Sequence, residues 1–220
     1  MDFLNPNAKY ELLANNVPRV SCATGGLLQN SPIVCGGFDD NYFTSQDCVA
    51  IGKPEIELEM IEKRRFAASV ALDQSTLWIV GGWNGANILS STEIIKLGQP
   101  SVKGRDLPFS ISYHSMIQYD EKSIYIIGGR ENSQVFSKKT WIVDPTNEFQ
   151  ITEGPSLNKG RAYHGCAKMT LNGRTILVVA GGYGAEHSVE ILDPSGNNVW
   201  TPGLYLKFIT VELCLIKIFQ

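Results

Sequence analysis

The chain has 220 residues, room for one sizeable domain or two small ones. Hydrophobic residues at 43% and charged residues at 19% exclude global disorder. The net charge of -3 gives no general drive towards nucleic acid or an anionic membrane surface. The opening residues Met1 to Asn7 lack a basic stretch followed by an apolar core, so no secretory signal is read. Five cysteines, an odd number, do not look like a disulfide framework, and no Asn-x-Ser/Thr acceptor occurs. The expected setting is reducing and cytoplasmic.

In chain order, Tyr10 to Leu13 reads as a closing strand with its link, ending at Arg19. Four similar units follow. Each begins with a segment of small and apolar residues suited to a crowded inner strand: Val20–Thr24, Phe66–Val70, Ser112–Met116 and Tyr163–Ala167. A turn comes next, clearest at Asn172-Gly173. Then comes a β-branched and aromatic run, Pro32–Cys35, Leu77–Val80, Ile124–Ile127 or Leu177–Ala180. Each run ends in a glycine pair: Gly36-Gly37, Gly81-Gly82, Gly128-Gly129 and Gly181-Gly182, spaced by 45, 47 and 53 residues. A pair of glycines at a strand end permits backbone angles and close approaches that a Cβ would block. After a polar loop, a third strand is expected at Gln46–Ile51, Ser91–Ile95, Lys139–Val143 and Ser188–Leu192. A closing strand is expected at Ile56–Met60, Glu148–Ile151 and Asn198–Thr201, and is poorly written between Gln99 and Arg105. Asp144-Pro145 and Asp193-Pro194 mark the turn before it.

Four antiparallel strands repeated at this period are the signature of a β-propeller. An unrelated all-β sandwich with glycine-rich turns is the alternative. The glycine pairs, the Asp-Pro turns and Phe149 or Trp200 in the closing strand make the chain resemble the kelch repeat family from about residue 12 to residue 203. The fold expected is all-β, a kelch-type propeller of four four-stranded blades. The repeats are placed at 14–61, 62–106, 107–152 and 153–203, after an N-terminal segment 1–13. The resemblance implies a protein-interaction module, related to the substrate-binding part of cullin-type ubiquitin ligase adaptors. Those adaptors carry an N-terminal BTB region, and this chain starts almost directly in the repeats.

Kelch propellers most often have six blades, so closure of the ring is open. The apolar tail 204–220 carries Lys207, Glu212 and Lys217 and is a poor membrane span. It reads as one or two final strands, pairing with Tyr10–Leu13, or as a degenerate or truncated further repeat.

Aligning the units places Arg19, Arg64, Ile111 and Arg161 at one position near a channel mouth. Loops after the glycine pairs open on the same side. The expected binding face holds Arg19, Arg64, Arg65, Arg130, Arg161, Phe38, Tyr42, Trp83, Asn84 and Tyr183. Arginine and aromatic residues anchor interfaces, and guanidinium forks suit carboxylates, so a partner protein or peptide with an acidic segment is expected. The competing reading is that each arginine caps strand ends or pairs with a neighbouring acidic loop. No cofactor or metal is expected: Cys22, Cys35 and Cys48 are thirteen apart because strands have that length, and His114 and His164 recur with the repeat. A propeller enzyme acting on a small sugar or metabolite, with Glu131, Glu186 or His187 moving protons, is the alternative function.

Overall fold

The computed structural model describes residues 20–53, 55–131, 135–171 and 173–205. It is all-β, with four four-stranded antiparallel sheets in chain order. Blade 1 holds β1 (Thr24–Leu28), β2 (Ser31–Cys35), β3 (Asp47–Ala50) and β4 (Glu57–Glu59). Blade 2 holds β5 (Ala68–Ala71), β6 (Thr76–Val80), β7 (Thr92–Lys96) and β8 (Val102–Lys103). Blade 3 holds β9 (Ser115–Asp120), β10 (Ser123–Ile127), β11 (Thr140–Asp144) and β12 (Gln150–Glu153). Blade 4 holds β13 (Gly165–Leu171), β14 (Arg174–Ala180), β15 (Val189–Leu192) and β16 (Thr201–Pro202). The inner strands meet in succession, β1 on β5, β5 on β9 and β9 on β13, so the sheets form the blades of a four-bladed propeller. Tyr10–Leu13, Arg19 and the tail from 206 lie outside the described residues.

Blades 2 and 3 bury one face of the second strand against the blade before and the other face against the blade after, while among the described residues blades 1 and 4 bury one face in this way. Ile33 and Cys35 meet Leu77, Ile79 and Ile95. Trp78 and Val80 meet Ile124, Ile126 and Val143. Tyr125 and Ile127 meet Leu177, Val179 and Leu192, with Trp200 in the same cluster. Burial on both faces explains why these runs are continuously apolar and not alternating.

The inner strands start two to four residues later than expected. Cys22, Phe66, Tyr113 and Tyr163 occupy one repeat position, and all four have φ of 57°. That left-handed conformation is costly for a side chain and cannot belong to a strand. Hydrogen bonds hold it in place: the Phe66 N–H donates to the Cys22 carbonyl, Tyr113 to Phe66, and Tyr163 to Tyr113, at 2.9–3.1 Å. The glycine pairs then lock each blade to the next. Gly37, Gly82 and Gly129 donate to the carbonyls of Arg64, Ile111 and Arg161 in the following link. A Cβ on Gly36 would overlap the Arg64 carbonyl, and Gly36 has a φ of 65°.

The expectation about cysteines is corrected at one pair. Cys35 and Cys48 form a disulfide between β2 and β3. The register sets them directly opposite, and the Gly36 N–H bond to the Asp47 carbonyl makes theirs a non-hydrogen-bonded pair, the closer kind, with Cα atoms 4.1 Å apart. The spacing of thirteen therefore reflects strand length and also brings two sulfurs into reach.

Candidate functional site

Two tiers of side chains surround the axis where the interblade links pass. The inner tier is the left-handed position. Phe66 packs on Tyr113 with ring centroids 4.1 Å apart, Tyr113 on Tyr163 at 4.2 Å, and Phe66 lies 5.7 Å from Tyr163. The rings of blades 2, 3 and 4 thus converge. Burial raises the Tyr163 hydroxyl far above its usual range, helped by a hydrogen bond with Tyr113 and by the nearby Cys22 and Tyr183. The outer tier is the residue after each glycine pair: Phe38, Trp83, Arg130 and Tyr183. Each bridges to the residue before the left-handed position in its own blade: Ser21–Phe38, Arg65–Trp83, Ser112–Arg130 and Ala162–Tyr183.

Arg65 stands between the tiers. Its guanidinium lies 4.3 Å from the Trp83 ring centroid, 4.8 Å from Phe38 and 5.3 Å from Phe66. Among the described residues it reaches one acceptor, the Tyr42 carbonyl, at 3.5 Å. The other three blades carry Ser21, Ser112 and Ala162 at this position. Tyr42 stacks on Phe38 at 5.4 Å and, with its neighbour Phe43, is exposed. On the other flank Tyr183 lies 5.2 Å from Tyr163 and 6.2 Å from Phe136. Asn84 shapes its own loop, accepting from Ala86 and Asn87 and donating to Glu62.

Arg64 and Arg161 do not belong to this face. They are 1% and 0% exposed. Arg64 donates to the Gly81 and Ser91 carbonyls and pairs with Glu93 at 2.6 Å; Arg161 repeats this with Gly181, Ser188 and Glu190 at 2.7 Å. Glu93 also accepts from the amides of Ile61 and Glu62, and Glu190 from those of Asn158 and Lys159. Burial alone would raise the Glu190 carboxyl; the Asn158, Arg161 and Lys159 donors hold it below its usual range. Both guanidiniums are pairing groups that fix a link to its own blade, which removes them from contact with a partner. Arg130 joins Ser112 through paired backbone bonds and is half-buried, and Arg19 is outside the described residues.

Phe66, Tyr113 and Tyr163 are not among the binding-face residues expected from the sequence. Their signal was an aromatic recurring directly before the small residues of three inner strands. The candidates for proton transfer are otherwise engaged. Glu131 pairs with Lys139 at 2.9 Å, and His187 stacks on Tyr205 at 5.1 Å. Glu186 is held below its usual range by the backbone N–H groups of Glu186 and Gly184. Among the described residues no group of three or more His, Cys, Asp or Glu side chains could hold a metal ion, and no helix is long and apolar enough to cross a membrane.

No protein-family model matches the chain. It is similar to Kelch repeat and BTB domain-containing protein 2 of Cowpox virus, 29% identical over 126 residues, which make up 56% of this chain and 22% of that protein. The protein of the same name from Ectromelia virus (strain Moscow) is 31% identical over 120 residues, 53% of this chain and 21% of its own. The Horsepox virus protein is 27% identical over 126 residues, 56% of this chain and 23% of its own. The matches thus span under a quarter of these relatives. The repeated glycine pairs and the four four-stranded blades fit this likeness to kelch-repeat proteins, which extends over just over half of the chain.

Proposed function

We propose that the chain is a protein-interaction module that binds a partner through an acidic segment, at the face bearing the post-glycine loops. The observation that carries this is Arg65: a guanidinium among three aromatic rings with, among the described residues, a single, long hydrogen bond of its own. A guanidinium with open donors matches a carboxylate, and the rings around it exclude water from that pair. Exposed Tyr42 and Phe43 add apolar contact area beside it. The kelch-repeat relatives favour an interaction protein over an enzyme, and their names include a BTB domain. On that analogy the module serves as a substrate-recognition component of a cullin-type ligase, with the BTB function supplied by another segment or chain, in the cytoplasm. The test is affinity capture from a cell lysate with the wild-type chain and with Arg65→Gln. A partner retained by the wild type and lost with Arg65→Gln supports the reading. A partner retained equally by both removes Arg65 from it.

A further inference from the structure

We infer that the partner segment carries a single carboxylate set among apolar or aromatic side chains, and not a run of acidic residues. This rests on the interaction reading above and narrows the chemistry of its ligand.

Among the described residues the face has fewer available cations than its arginine content suggests. Arg64 and Arg161 are buried and committed to Glu93 and Glu190. Arg65 alone among the blades provides a guanidinium at its repeat position. Carboxylates already occupy the surrounding loops. Asp39 accepts from the Asn41 and Phe43 amides in the loop that touches Arg65, and Asp40 follows it. A polyacidic tract laid here would satisfy one charge and meet repulsion at the others. Apart from Arg65 and Arg130, which already has an interaction partner, the described surface is aromatic: Phe38, Tyr42, Phe43, Trp83 and Tyr183. It therefore asks for apolar side chains on either side of one acid. Three rings also shield Arg65 from solvent, so recognition is by short-range geometry and less by a long-range field that salt would screen.

The experiment is a fluorescence-anisotropy titration of the 220-residue chain with three synthetic peptides. One has a Leu-Phe-Glu-Leu-Phe core, the second has Gln in place of that Glu, and the third is hexaglutamate. The first is expected to bind, with the second and third each weaker by about tenfold or more. Raising salt from about 50 to about 500 mM should change the first by less than about threefold. Arg65→Gln should abolish the difference between Glu and Gln while leaving the melting temperature unchanged. Hexaglutamate binding as tightly as the first peptide, with both lost in Arg65→Gln, overturns this inference and leaves the acidic-segment reading standing. Equal binding of the Glu and Gln peptides, or no binding of any of the three, overturns both.

Discussion

His114 and His164 share a repeat position but have different partners. The Nε2 of His164 meets the Ser115 hydroxyl of the preceding blade at 2.8 Å. The same place before His114 is held by Ala68, and both His114 ring nitrogens lack a hydrogen bond among the described residues. Burial pushes His114 down to about 3, so it is neutral in the folded protein. Its pKa in the unfolded chain is near 6.5, so below that pH the unfolded chain takes up a proton that the fold refuses. The stability His114 permits at neutral pH is lost as pH falls from about 6.5 towards 3, by about 1.4 kcal/mol per unit. Urea unfolding at pH 7 and pH 5 should show this slope in the wild type and less of it in His114→Leu. Ala68→Ser should supply the missing hydroxyl and raise stability at pH 7 by about 1 kcal/mol; no gain would mean that the ring is oriented away from residue 68. The same comparison of repeat positions explains what the sequence could and could not say about the site. Arg64 and Arg161 recur, and recurrence looked like a ring of binding groups. What recurs in a repeat protein is first of all what each repeat needs to fold. Arg65, which occurs once, had the weaker pattern and is the arginine that reaches the face.

Among the described residues the link between blades has two chemical solutions. In blade 2 it is Glu62, Arg64 and Glu93, with Arg64 also 3.8 Å from Glu62. In blade 3 the equivalent residues are Phe109, Ile111 and Trp141, with Phe109 stacked on Trp141 at 4.6 Å inside the blade 2–3 core. A buried ion pair offsets a large desolvation cost, so removing one partner strands the other charge. Arg64→Ile or Glu93→Ala alone should each cost about 3–5 kcal/mol in denaturant unfolding. The triple change Glu62→Phe, Arg64→Ile and Glu93→Trp copies blade 3 and should lose much less than the sum. A triple variant as unstable as the summed singles would show that the polar link is specific to blade 2. Strand identity was legible here because both solutions keep the apolar β6 and β10 runs between their turns. Strand starts were not, because composition in Phe66–Val70 or Ser112–Met116 does not reveal which residue turns left-handed. That is set by the hydrogen bonds running from link to link.

For the whole molecule the deciding feature is how many blade faces find a neighbour. Three buried clusters join the four blades in sequence, and among the described residues none joins blade 4 to blade 1. The face that buries Ile33, Trp78 and Tyr125 in the first three blades falls in blade 4 on Val178, which is half-buried. Beside it on β13, Met169 and Leu171 are 51% and 55% exposed. The repeat was readable from glycine pairs, since each blade writes its own pattern. Ring closure was not, because it depends on the relation of the first blade to the last, which no single repeat encodes. An exposed apolar sheet face favours association between molecules. Replacing Met169 and Leu171 with lysine should therefore change solubility more than stability. Light scattering at rising concentration should show less self-association in Met169→Lys/Leu171→Lys. Its melting temperature should stay within a few degrees of wild type, since exposed positions contribute within about 0.5 kcal/mol each. Ile79→Lys, placed in the blade 1–2 core, should prevent folding and serves as the contrast. If the double lysine variant also unfolds, β13 is covered in solution, and the fourth blade has a neighbour.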